Sequence, residues 1–149
     1  MQTEKPALDF TNSAAYSWAM TTDELFHLAW VARERAYAPY SKFKVGAALL
    51  TESGKTFSGC NVENLSFGLT ICAERAAVFA AIAAGETRFK MIAIVADSVQ
   101  PVTPCGACRQ VLAEFCDKLM ICCENQQGGR FEATLSELLP RAKEGILGT

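Results

Sequence analysis

A chain of 149 residues in which half are hydrophobic and a fifth charged has the composition of one globular domain, and not of a disordered or collagen-like chain. The net charge of -2, with lysines and arginines scattered, leaves no footprint for a polyanion, so no nucleic-acid partner is expected. No window approaches about 18 consecutive apolar residues and no basic stretch leads into an apolar one at the start, so no membrane partner is expected. Seven cysteines, an odd number in a chain that needs no staples, point to a reducing cytoplasm.

In chain order, residues 1–20 show no clear period and read as an N-terminal extension, with "AAYSWAM" either a helical turn or a loosely held arm. Residues 21–149 read as one domain. Thr21-Thr22-Asp23-Glu24 fits a capping box, and Leu25, Leu28, Ala29 and Ala32 mark the apolar face of a helix that ends before Pro39, with His27 at its surface or in packing. "VGAALLTE" and "KTFSGCNV" read as a hairpin turned at Ser53-Gly54. "CAERAAVFAAIAAG" is a helix closed by Gly85, "KMIAIVAD" a buried strand, and "CGACRQVLAEFC" a second helix. "KLMICCE" is a strand, "GGRFEATL" a turn and final strand, and "LSELLP" a short helix. A hairpin followed by β-α-β-α-β implies an α/β fold with a mixed sheet and helices on both faces.

The helix that begins "TICAERAAVF" is apolar enough to be buried on most sides, yet its first turn carries Cys72, Glu74 and Arg75, and buried charges need partners. Cys105 and Cys108, three apart on another first turn behind Pro104, return to nearly one face. Alone, that pair reads equally as a redox dithiol or as part of a metal site. If the two helix starts converge, their partial positive charges favour thiolates, and three thiolates around Zn²⁺ leave one open position, the catalytic type of zinc site. Arg75 would offset the surplus negative charge. A thiol redox protein using Cys105 and Cys108 explains neither Cys72 nor Glu74, and a zinc-stabilised binding module would want a fourth protein ligand. Cys60, Cys116, Cys122 and Cys123 read as small apolar residues, with Cys122 and Cys123 on opposite sides of a strand.

Cys72-Ala73-Glu74 followed by Pro104-Cys105-Gly106-Ala107-Cys108 matches the zinc deaminase signature: a ligand two residues before a Glu that is not a ligand, then P-C-x-x-C. From "YSKFKVGAALL" through "GCNVEN", "CAER" and "PCGACRQ" to "ELLP", the chain resembles the small cytidine deaminases. The resemblance implies a three-layer α-β-α sandwich around a five-stranded mixed sheet, one Zn²⁺ per subunit, and a homotetramer with shared active sites. It makes Cys72, Cys105 and Cys108 the ligands and Glu74 the proton shuttle. Asn61 and Glu63 would hold the ribose hydroxyls, Phe43 would line the nucleoside pocket, the Ala73 N–H would bind the pyrimidine carbonyl, and Thr103 and Pro104 would border the leaving amine. The implied activity is hydrolytic deamination of cytidine and deoxycytidine, a cut at a cyclic amidine C–N bond. Polynucleotide editing is disfavoured by the acidic balance and by Cys72 where editing enzymes carry His.

The chain departs from that family in three places. No aromatic follows "ELLP", whereas the family commonly has a Phe that stacks on a neighbour's pyrimidine, and Leu65 and Phe67 stand where the family has Ala and Tyr. Either another side chain, from residues 1–20 or Trp30, fills the gap, or the pocket accepts modified cytosine nucleosides, substituted at N4 or C5 or built into a nucleoside antibiotic.

Overall fold

A computed structural model describes residues 19–145. Helix α1 spans Thr22–Arg33. Its start is the expected capping box: Thr21 Oγ1 accepts from the Glu24 N–H at 3.2 Å, and the Glu24 carboxylate accepts from the Thr21 N–H at 2.8 Å. The buried stripe is Leu25, Phe26, Ala29 and Ala32, so Phe26 is buried where Leu28 was expected, and Leu28 is only partly buried. Gly46 explains the rotation. A Cβ there would lie 2.0 Å from the Ala29 carbonyl oxygen and 2.7 Å from the Arg33 nitrogen, so the helix touches the sheet along the Ala29–Arg33 line, and side chains flanking that line turn inward.

Strands β1 (Val45–Thr51) and β2 (Thr56–Cys60) form the hairpin, turned through Gly54 at φ +86°. Helix α2 follows over Ala73–Ala83, then β3 (Phe89–Ala96), α3 (Gly106–Ala113), β4 (Met120–Asn125), β5 (Arg130–Thr134) and the short α4 (Leu135–Leu138). The strand order is β2-β1-β3-β4-β5. Only β3 and β4 run parallel, because α3 supplies the crossover that a parallel pair requires.

The alternation of the strands builds two cores. Ala47, Leu49, Ile92, Ile94, Ile121 and Cys123 pack with α2 and α3 on one face. Ala48, Leu50, Ala93, Val95 and Cys122 pack with α1 on the other, where Met20 also joins. The result is a three-layer α-β-α sandwich with a five-stranded mixed sheet, and Cys122 and Cys123 do face opposite layers. The extension read over residues 1–20 lies, as far as residue 18, outside the described residues. Among the described residues no helix is long and apolar enough to cross a membrane.

Helix α2 differs from expectation. It buries Ala73, Glu74, Ala77, Val78 and Ala81, but Phe79 is 50% and Ile82 37% exposed. One sheet covers one side of a helix, and among the described residues Phe79 and Ile82 on the other side stay exposed.

Candidate active site

The site is made by two helix starts. Cys72 is the N-cap of α2 at φ -72°, ψ 154°, and Cys105 the N-cap of α3 at φ -65°, ψ 165°. Extended backbone at these positions throws both side chains forward, off the helix ends, and Cys108, one turn into α3, meets them. The Cys72 and Cys105 sulfurs are 3.9 Å apart, and all three sulfurs lie within 4.8 Å of one another, the one such His/Cys/Asp/Glu cluster among the described residues. Four-coordinate zinc with Zn–S bonds of about 2.3 Å sets its sulfurs about 3.8 Å apart. The trio therefore fits Zn²⁺.

Charge at the cluster is managed locally. Arg75 Nη2 donates to Cys72 Sγ at 3.4 Å and to the Thr70 carbonyl at 3.3 Å, and its pKa rises because of that thiolate. A hydrogen bond from Cys108, with Arg75 and Cys105 adding to it, holds Cys72 down at about 5 against the opposing effect of burial. Cys108 moves well up for the complementary reason: its proton is shared with Cys72, and burial adds to the shift. A metal ion would replace that shared proton.

Glu74, the second residue of α2, is 5% exposed. Burial pushes its carboxyl up to about 7, with the Cys72 thiolate adding to the shift and its own backbone N–H and Arg75 opposing it. It opens into a cleft of ≈ 230 Å³ lined also by Phe43, Asn61, Cys72, Ala73, Thr103 and Cys105. Ala73 is the first residue of α2, so its N–H has no acceptor within the helix.

The other residues singled out in the sequence take different places. Asn61 is turned onto backbone: its side-chain oxygen accepts from the Val45 N–H and its amide donates to the Phe43 carbonyl, both at 2.8 Å. Glu63 lines an outer chamber of ≈ 490 Å³ with Tyr40, Phe43 and Phe67. Its carboxylate accepts from the Ser41 hydroxyl at 2.8 Å and the Ser41 N–H at 3.1 Å. Together they hold the 41–45 segment, in which Lys42 adopts φ 60°. Pro104 is buried behind the cleft, and its carbonyl accepts from Arg109 Nε at 2.7 Å. Trp30 cannot replace a missing aromatic within this chain, because its indole N–H donates to Glu124 Oε1 at 2.7 Å on the α1 side of the sheet. Sequence reasoning missed Thr70 and Val102, which line the cleft, and Ser41 and Arg109, which meet Glu63 and the Leu138 carbonyl only in the fold.

Three thiols and a buried carboxyl at paired helix starts, on an α-β-α sandwich, define a zinc-dependent deaminase. Residues 20–124 match the family of the cytidine and deoxycytidylate deaminase zinc-binding region, and the chain belongs to that family. It is 51% identical to a cytidine deaminase of Sporosarcina psychrophila, over 83% of this chain and 91% of that protein. The crystal structure of cytidine deaminase from Burkholderia pseudomallei superposes with a TM-score of 0.79 at 52% identity, covering 81% of this chain and 98% of that one. Blasticidin-S deaminase of Bacillus cereus is 30% identical over 76% of this chain and 87% of its own length.

Proposed function

We propose that the chain hydrolyses cytidine and deoxycytidine to uridine and deoxyuridine, releasing ammonia, with Cys72, Cys105 and Cys108 holding one Zn²⁺ per chain. The observation that carries the reading is the three-sulfur cluster with a buried, near-neutral Glu74 in the same small cleft. Zinc, when bound, acidifies a water and so supplies the nucleophile for C4 of the pyrimidine. Glu74 accepts one proton of that water and gives it to ring N3, then takes the second from the hydroxyl now on C4 and gives it to the amine as the C4–N bond breaks; a carboxyl with a pKa near 7 can both take and give. The Ala73 N–H holds the pyrimidine carbonyl, Phe43 lies against the nucleoside, and Thr103, backed by the buried Pro104, borders the amine. Asn61 and Glu63 face the ribose while bracing the 41–45 segment. Arg75 keeps the thiolate cluster near neutral.

Residues 21–149 act as one catalytic domain, and a reducing cytoplasm keeps its thiols free. The working unit is a homotetramer, supported by the uncovered apolar side chains of α2 and by Leu65, Phe67 and Leu69, each more than 60% exposed. The same chemistry on modified cytosine nucleosides is the second reading, favoured by Phe67 in the outer chamber. Identity of 51% to a cytidine deaminase against 30% to blasticidin-S deaminase ranks it second. A panel of cytidine, deoxycytidine, cytosine, adenosine and N4-substituted cytidines, followed by absorbance and ammonia release, tests both. Turnover of cytidine and deoxycytidine above all others is the expected result; no turnover of either overturns the proposal.

A further inference from the structure

Arg109 directly follows the ligand Cys108, and its guanidinium reaches three acceptors on two separate segments. Nε donates to the Pro104 carbonyl at 2.7 Å, Nη2 to Thr103 Oγ1 at 3.1 Å, and Nη1 to the Leu138 carbonyl at 2.9 Å. None of these acceptors is charged. Holding a partly buried cation on neutral groups costs desolvation that an ion pair would offset, so stability is a poor reason for this arrangement. What a rigid planar fork does well is fix three points relative to one another. Two of the points form the segment that enters α3 beside Cys105. The third is the last residue of α4.

Thr103 lines the cleft together with Cys105 and Glu74, the end at which the reacting carbon must lie if Glu74 is to serve both ring nitrogen and amine. We propose that Arg109 is a positioning residue for the leaving-group side of the cleft: it pins the Thr103–Pro104 wall to α4 and so fixes the space beside the exocyclic amine. The proposal rests on the deamination reading above. With the fork removed, the wall can recede. Cytidine then loses alignment in the transition state more than it loses binding, and a larger N4 substituent gains room.

The test uses the zinc-loaded protein with Arg109→Gln and Arg109→Lys, assayed on cytidine and N4-methylcytidine. Where the methylated nucleoside does not turn over, its inhibition constant against cytidine is read instead. Expected are a fall in kcat on cytidine of about tenfold or more with KM changed less than about threefold, zinc still at one per chain, and a preference for cytidine over N4-methylcytidine that shrinks by about fivefold or more. Arg109→Lys, which keeps the charge but not the fork, falls between. Trp30→Phe removes a hydrogen bond on the opposite face and should leave the preference unmoved. Should the Gln variant not fold, the Lys variant carries the same measurement. An unchanged preference, or loss of zinc in both variants, overturns the proposal. Wild type inactive on cytidine would overturn the deamination reading instead.

Discussion

Glu74 occupies the second position of a helix, where the N-terminal field ordinarily favours an ionised carboxylate. Burial wins, and the carboxyl moves up to about 7. Glu74→Gln should therefore retain zinc and fold while kcat falls about 100-fold or more, checked by metal analysis beside steady-state kinetics. Linkage gives a second reading of the same group. A pKa raised from 4.5 to about 7 contributes stability that is complete below pH 4.5 and lost as pH rises through 7, so the metal-free protein should lose stability over that window. Cys72, shifted down, works in the opposite sense, so the comparison that isolates Glu74 is the stability difference between wild type and Glu74→Gln across that range. A difference independent of pH would show that the carboxyl is not held protonated. Arg75→Gln removes the donor to Cys72 Sγ and should weaken zinc affinity or kcat by about 10- to 100-fold without unfolding the chain, measured by chelator competition. At this scale the chemical groups of the three-sulfur cluster were legible in the sequence because Cys72 and Glu74 lie within one turn of α2, and Cys105 and Cys108 within one turn of α3. The Arg109 fork was not, since Leu138 comes to it only through the packing of α4.

Between elements, two glycines set the spacing of the layers, and they divide the labour. A Cβ at Gly46 would strike α1, whereas a Cβ at Gly59 would lie 2.4 Å from both the Ala73 carbonyl oxygen and the Ala77 nitrogen of α2. Gly59→Ala must displace the first turn of the helix that carries Cys72 and Glu74. Gly46→Ala pushes the helix on the far side of the sheet. Both should cost about 1–3 kcal/mol in denaturant unfolding, the usual range for overpacking, but only Gly59→Ala should also lower zinc occupancy and kcat. Equal activity in the two variants would show that α2 recoils without disturbing its N-cap. Element order and strand faces could be read directly, since alternation assigns Cys122 and Cys123 to opposite cores whatever the tertiary detail. The rotation of α1 that buries Phe26 in place of Leu28 could not, because it follows from a glycine on a strand that meets the helix only after folding.

For the molecule as a whole, the apolar surface is uneven. Phe79 and Ile82 stand out from α2, and Leu65, Phe67 and Leu69 crowd the segment that leads into it, with Phe67 also lining the outer chamber. The sequence reading of α2 as buried on most sides fails at Phe79 and Ile82, and an exposed apolar face of this kind is what a second copy would cover. A net charge of only -2 offers little repulsion against such association. Light scattering on the wild type should accordingly give a mass near four times the 16.1 kDa of one chain. Phe79→Glu places a carboxylate in the middle of the uncovered face, where burial against an apolar partner would cost several kcal/mol. That variant should dissociate into smaller species that keep zinc, since the three sulfurs belong to one chain, but bind cytidine more weakly because the cleft rim stays open. A wild type that is fully active as a 16.1 kDa species would show that the apolar rim serves the substrate directly and that no second copy completes the site.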